Sequence, residues 1–407
     1  MTEPEALAAL DQNSAYFDAR SGILKARAFA NRAVYEKELN SVFSRSWLFV
    51  APENWLTSNG DFLRSRMGAD DVVVWRGSDG RLRVFDNICV SSDNAICSSS
   101  RGNLDTIICR CHGWRYDSCG LSPDLPGQGL VSTGKIEVYQ GLVFANRDLN
   151  AESFVDSLGD FGWYLDILLA GGGGGIEAYG DDALRWTVDT NWKLAAEGYC
   201  GSGLMELGSD PRLFHENTDD QAPTPHGFQA STKAGVISIV TQGQAPAAEH
   251  SKNALGAPRD GFYPTFGTLF PNLSFDWRIP SLHVWHPRGP STTEIHSFCI
   301  VKKNASADAK EQARRAFQFQ YGPAGVQSQR QAEIWRSISA RISSETDLVL
   351  NIQMGLGRER DANIPGKLAD LLSESNQRSF FSWWQERLDL PGAPTRKWLR
   401  VAHRGRQ

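Results

Sequence analysis

No run of eighteen apolar residues occurs in the chain, so nothing in it reads as a membrane-spanning helix. The opening stretch MTEPEALAALDQNSAYFDAR lacks a basic start followed by an apolar run. That is not a secretory leader, and it predicts a cytoplasmic protein. A strong excess of one charge is missing too. A net charge of −5 and a pI near 5.9 argue against nucleic acid or an anionic membrane as the main partner. No internal repeat is evident. Cysteines number 7, an odd count, and five of them lie between Cys89 and Cys119. Such clustering without a leader reads as metal binding rather than a disulfide framework.

What is present is ample for a large core. The chain has 407 residues, 41% of them hydrophobic, which suggests two or more domains. Ala28, Ala30, Val34, Tyr35 and Leu39 recur at helical intervals near the N-terminus. From Ser46 the pattern turns to short β-like runs. These are Trp47–Val50, Asp71–Trp75, Leu82–Phe85, Ile136–Tyr139 and Leu142–Ala145. Asn59-Gly60 and Ser78-Asp79-Gly80 suit hairpin turns.

Helical spacing returns over Phe154–Leu169. The glycine tract that follows, up to Gly175, lacks the Lys-Ser/Thr of a phosphate-binding loop and reads as a surface loop. Further β-like runs follow at Leu184–Val188, Val236–Val240, Leu282–Trp285 and Thr293–Val301, with helices over Ala307–Phe319, Ala332–Leu348 and Ser373–Leu390. The expectation is an α+β protein. An all-β domain over 41–150 would carry two metal-binding loops. Residues 1–40 and 151–407 would form a second domain around an antiparallel sheet.

The chemistry concentrates between Asn87 and Tyr116. Cys89-Val90-Ser91 and Cys109-Arg110-Cys111-His112-Gly113-Trp114 lie about twenty residues apart. The second pair, Cys109-x-x-His112-Gly-Trp, resembles half of a Rieske [2Fe–2S] motif. Such a centre takes two cysteines on one iron and two histidines on the other. The other half of the motif is C-x-H, and here Ser91 stands where its histidine would be. Three ligand types remain, Cys89, Cys109 and His112. A serine hydroxyl, with a far higher pKa and no imidazole nitrogen, ligates this iron poorly. Cys97 and Cys111 are the candidate substitutes. A Cys-rich pocket with one histidine equally suits tetrahedral Zn²⁺. If Cys109 and Cys111 sit on a strand, their side chains point the same way. Cys119, Cys200 and Cys299 read as ordinary buried cysteines.

The resemblance extends along the chain. Asp189-Thr190-Asn191-Trp192-Lys193-Leu194-Ala195-Ala196-Glu197, Pro271-Asn272-Leu273-Ser274 and Val284-Trp285-His286-Pro287-Arg288-Gly289-Pro290 contribute to it. So do Gly322-Pro323-Ala324-Gly325-Val326, Met354-Gly355-Leu356-Gly357-Arg358 and Asn376-Gln377-Arg378. Together they resemble the large (α) subunit of Rieske non-haem iron aromatic-ring-hydroxylating oxygenases. The resemblance implies an all-β Rieske domain beside a helix-grip catalytic domain. It also implies a mononuclear iron held by two histidines and a carboxylate.

Those ligands are expected in a pattern D-x-x-H-x(4,5)-H after the Asn-Trp-Lys segment. Ser202 stands at the bridging aspartate, Met205 at the first histidine, and Asp210 or Pro211 at the second. Arg330 or Gln331 stands at the carboxylate. Fe(II) prefers nitrogen and oxygen ligands, so neither a thioether nor a guanidinium serves it. Met205 and Leu204 also suit an ordinary core, and Asp210 a turn cap before Pro211. His286 reads as a scaffold histidine. His215, Glu216 and His226 could form a relocated site, though their spacing matches no iron triad.

Three functions are therefore expected in competition. The first is a structural or regulatory α-like subunit, catalytically inactive or impaired, that assembles with an α-like or β oxygenase subunit. The second is a working oxygenase with non-standard ligands, fed with NAD(P)H electrons through a ferredoxin or reductase. The third is a zinc- or ligand-binding protein. The ligand departures put a [2Fe–2S] cluster in doubt and argue against mononuclear Fe(II), while Zn²⁺ stays open. No feature points to nucleic acid or membrane.

Overall fold

The computed structural model describes residues 15–92, 94–170, 174–201, 227–241, 262–345 and 347–392. The N-terminal helices Arg27–Ala30 and Arg32–Glu38 run into a π turn over Leu39–Phe43. Asn31 divides the two helices. Its extended backbone cannot continue the first, and its side chain accepts from the N–H groups of Ala33 and Val34 to cap the second. The Glu38 carboxylate then enters the interior. It accepts from the Lys193 ammonium and from the indole N–H groups of Trp192 and Trp384, at 2.9 and 2.8 Å for the indoles. Lys193 and Glu38 are both fully buried. A buried pair so fully hydrogen-bonded pins the N-terminal helices to the helices Trp192–Glu197 and Ser375–Leu388.

The all-β region forms three small antiparallel sheets. One has the order Leu82–Asp86, Asp70–Arg76, Asp61–Met67, Arg101–Asn103. Another joins Lys135–Tyr139, Leu142–Asn146 and Leu48–Pro52. The third is the hairpin Thr106–Ile108 with Arg115–Asp117. Ser78-Asp79-Gly80 turns between two paired strands as expected, with Gly80 at φ 77° where an L side chain is disfavoured. Asn59-Gly60 is not a hairpin turn. The strands on either side of it, Leu48–Pro52 and Asp61–Met67, belong to different sheets.

The larger region is built on a nine-stranded antiparallel sheet. Its central strands are Thr292–Lys302, Ser281–Gly289, Leu273–Asp276, Phe262–Leu269 and Gly235–Thr241. The sheet turns one face toward the helices Val326–Ser344 and Ser375–Leu388, and aromatic contacts such as Trp285 with Trp335 seal that junction at 5.6 Å. The expected helix over 154–169 is two helices, Phe154–Leu158 and Phe161–Leu169, broken at Gly159, whose positive φ of 47° ends the first. The helix expected from Ala332 starts six residues earlier, at Val326, directly after Gly325. No helix among the described residues is long and apolar enough to cross a membrane.

Candidate functional site

The hairpin Thr106–Ile108/Arg115–Asp117 presents Cys109 to Trp114 as its tip. The Cys109 N–H donates to the Trp114 carbonyl and the Gly113 N–H to the Cys109 carbonyl, both at 2.8 Å. Gly113 sits at φ 74°, which lets the chain reverse there. The facing loop is held by Asn87. Its amide donates to the Cys97 carbonyl and accepts from the Cys97 N–H, both at 2.9 Å. The Cys89 N–H meets the Asn94 carbonyl at 2.8 Å. The two loops thus bring Cys89, Cys109 and His112 together, with ligand atoms within 4.8 Å of one another. The two thiols are 3.5 Å apart, and His112 Nδ1 lies 3.4 Å from Cys89 Sγ and 3.7 Å from Cys109 Sγ. Trp114 stacks on the His112 ring at 4.2 Å and fixes its plane.

The thiols are unequal. Burial pushes Cys89 up, but hydrogen bonds from the Ser92 hydroxyl, the N–H groups of Ser91 and Ser92, and Cys109 outweigh it and bring it to about 7. Burial, with the neighbouring Cys89, pushes Cys109 up. Beside them Tyr116 is fully buried, with no partner for its hydroxyl among the described residues. Burial, then the two thiols, raise it to about 12.

The two proposed substitutes diverge. Cys97 is buried away from the group, and its thiol faces the Ser99 carbonyl at 3.7 Å. Cys111 is exposed, near the group, with the Asn94 amide 3.3 Å from its sulfur. The expectation that Cys109 and Cys111 share a strand face is corrected here. Both lie in a turn, so Cys109 is buried while Cys111 faces solvent. Cys119 is exposed, contrary to expectation, because it sits in the turn Ser118–Gly120 after the hairpin. Cys200 and Cys299 are buried as expected.

In the larger region, Gln331 and Arg330 lie on the helix Val326–Ser344. Arg330 is half-buried. Gln331 is buried and pairs with the Tyr199 hydroxyl at 3.2–3.3 Å. That hydroxyl also meets Tyr321, whose own hydroxyl donates to Asp276 at 2.5 Å, and Asp276 pairs with Arg278. Burial drives the Tyr199 and Tyr321 hydroxyls far above their ordinary range. His283 stands beside this chain of groups between the hydroxyls of Ser281 and Ser297, each at 2.9 Å, and burial lowers it to about 3. Sequence reading missed Tyr199, Asp276, Arg278, His283 and Tyr321. The alternation Ser274/Asp276 and Ser281/His283 on adjacent strands was the available signal for a polar interior face.

His286 is buried beside His296 with ring centroids at 4.5 Å, and its Nδ1 has no hydrogen-bond partner among the described residues. Glu197, at the end of its helix, is raised to about 7 by burial and then by the Glu374 charge. Ser202, Leu204, Met205, Asp210, Pro211, His215, Glu216 and His226 lie outside the described residues.

Comparison with known proteins accounts for this arrangement. Residues 46–135 match the family described as Rieske [2Fe-2S] domain. Residues 163–390 match the ring hydroxylating alpha subunit catalytic domain. The chain is 30% identical to biphenyl 2,3-dioxygenase subunit alpha of Rhodococcus jostii, over 92% of this chain and 90% of that protein. It is also 30% identical to benzene 1,2-dioxygenase subunit alpha of Pseudomonas putida, over 92% and 93%. A naphthalene 1,2-dioxygenase from Rhodococcus sp. bound to indole superposes with a TM-score of 0.77 at 26% identity, covering 95% of this chain and 97% of that one. The chain belongs to the ring-hydroxylating oxygenase α-subunit family, and its fold is the all-β Rieske domain with the α-subunit catalytic domain.

The family description implies a [2Fe–2S] cluster on the hairpin tip. The donors found there do not fit one made with two cysteines and two histidines. Cys89, Cys109 and His112 are in place, but Ser91, an exposed hydroxyl, has no imidazole nitrogen to give.

Proposed function

We propose that this chain serves as an α-type subunit that builds and stabilises a ring-hydroxylating oxygenase assembly without carrying out the iron chemistry itself. One observation carries the reading. At the position resembling the iron carboxylate stands Arg330 or Gln331, neither of them a carboxylate, and the Gln331 amide is already engaged by Tyr199. Ser202 and Met205 point the same way by residue type, and Asp210 or Pro211 stands where the second histidine is expected. Residues 41–150 form the Rieske-like domain in this reading, and 1–40 with 151–407 the catalytic-type domain. The partner in this reading is an α-like oxygenase subunit with its own iron centres, or a β subunit.

A second reading is favoured by the relatives, which are named as biphenyl and benzene dioxygenase subunits. Under it the chain hydroxylates an aromatic compound with O₂ and electrons delivered by a ferredoxin or reductase. Co-expression with oxygenase subunits followed by native mass spectrometry separates the two. The subunit role expects a hetero-oligomer and no hydroxylation by this chain alone, even with Fe(II) and a reductase. Turnover that chelation abolishes and Fe(II) restores would establish the second reading instead.

A further inference from the structure

The spacing at the hairpin tip specifies a different metal from the one the family name implies. In a two-iron centre the cysteines bind one iron and the histidines the other, so thiols and imidazoles stand at opposite ends of the cluster. Here His112 Nδ1 is as close to both thiols, at 3.4 and 3.7 Å, as the thiols are to each other, at 3.5 Å. A single tetrahedral zinc, with Zn–S about 2.3 Å and Zn–N about 2.0 Å, sets its sulfurs about 3.8 Å apart and sulfur from nitrogen about 3.5 Å apart. The three atoms already form one face of such a tetrahedron.

A fourth donor is at hand. The Cys111 sulfur sits on the same hairpin tip, 3.3 Å from the Asn94 amide. Cys111 is exposed, so its side chain can turn without disturbing the core. Cys97 cannot compete, because its backbone is locked by Asn87 and its thiol faces away.

We propose that the hairpin tip binds one tetrahedral Zn²⁺ through Cys89, Cys109, His112 and Cys111. The thiols release the protons they carry as the ion enters, and the imidazole donates a neutral nitrogen. The Trp114 ring keeps the imidazole plane aimed at the ion. A closed set of four protein ligands makes the site structural, tying the Cys89 loop to the hairpin. The inference does not depend on the subunit role; a redox-inert zinc at this tip would leave the second reading without an electron relay in this domain.

The test is metal and sulfide analysis of the purified full chain, followed by exchange with Co²⁺. Expected are one zinc per chain, no acid-labile sulfide, and a thiolate-to-cobalt charge-transfer band of three-thiolate intensity. Cys111→Ser should lower that band by a third and loosen zinc on the order of 10- to 100-fold, in the range seen when coordination is disturbed. Cys119→Ser and Cys97→Ser should leave the band unchanged. X-ray absorption at the zinc edge gives a second readout, with three sulfurs and one nitrogen expected. Two irons with two sulfides per chain, no bound metal, or a cobalt band indifferent to Cys111→Ser would each overturn the proposal. None of these readouts touches hydroxylation or assembly, so its failure is distinct from a failure of the subunit role.

Discussion

The pairing of Gln331 with Tyr199 makes an asymmetric mutational prediction. Tyr199 is fully buried and Gln331 nearly so. Tyr199→Phe removes the hydroxyl and leaves the Gln331 amide in the interior without that partner. An orphaned buried polar group costs about 1–3 kcal/mol. Gln331→Leu removes the amide instead, at similar volume, and the Tyr199 hydroxyl keeps Tyr321. Its cost should stay below about 1 kcal/mol, because no group is stranded. In the double variant neither side is orphaned, so it should be more stable than the sum of the singles. Urea unfolding followed by tryptophan fluorescence measures all four chains. Gln331→Asp extends the argument. It buries a carboxylate near Asp276, with Arg278 already paired to that residue, and should cost more than either other variant. Adding Fe(II) to the parent chain should not move the midpoint. Specific binding at a hundredfold excess over Kd would stabilise by about 2.7 kcal/mol. A shift of that size in the parent, or equal costs for Tyr199→Phe and Gln331→Leu, would refute the claim that Gln331 is a packing residue rather than a ligand.

Three further outcomes are expected. The parent chain should give no reduced Rieske EPR signal with its low average g, whereas Ser91→His, made under iron- and sulfide-replete conditions, should gain one; a silent variant would mean that the loop cannot hold two irons. Lys193→Met strands the buried Glu38 and should cost about 3–5 kcal/mol, while Lys193→Met with Glu38→Leu should recover much of it, as read by thermal unfolding. Stability should fall on acidification below about pH 6.5. Burial lowers His283, to about 3, and also His286 and His296, so the unfolded chain binds the extra protons and the slope is up to about 1.4 kcal/mol per pH unit for each histidine. Glu197, raised to about 7, acts oppositely between 4.5 and 7, where the unfolded chain releases the proton first. Glu197→Gln should therefore steepen the acid slope, and a flat profile between pH 4 and 6.5 would contradict this assignment.

The fold could be read from the sequence where local chemistry decides it. Ser78-Asp79-Gly80 needs a positive φ at Gly80, and the strands on either side follow from alternation. Ile176–Ala178, Gly227–Ser231 and Lys367–Asp370 were not read as strands. They are short, and their pairing with distant strands comes from tertiary contact rather than from their own pattern. Asn59-Gly60 has hairpin chemistry without a hairpin, because its flanking strands find partners elsewhere. The tip residues Cys89, Cys109 and His112 come together as a group that could hold a metal ion. The strand reading of Cys111 failed because Gly113 forces a turn one residue after the histidine.

The interior of the large sheet explains how such a chain keeps its fold while its ligand positions change. A metal ligand holds its place in a structure through the metal, and without one a buried carboxylate or imidazole must find other partners. Gln331 has found Tyr199, Tyr199 has Tyr321, and Tyr321 has Asp276. Every link is a neutral donor or a paired charge, so the cluster is satisfied by its own groups. Reversing one link therefore disturbs its neighbours, as the Tyr199→Phe prediction requires. The Glu38–Lys193 anchor is built from other groups, whereas the Trp285 ring of the Trp285–Trp335 seam packs on Tyr199 at 5.1 Å. The N-terminal anchor and the Gln331 cluster thus rest on different contacts, and Lys193→Met and Tyr199→Phe test them separately.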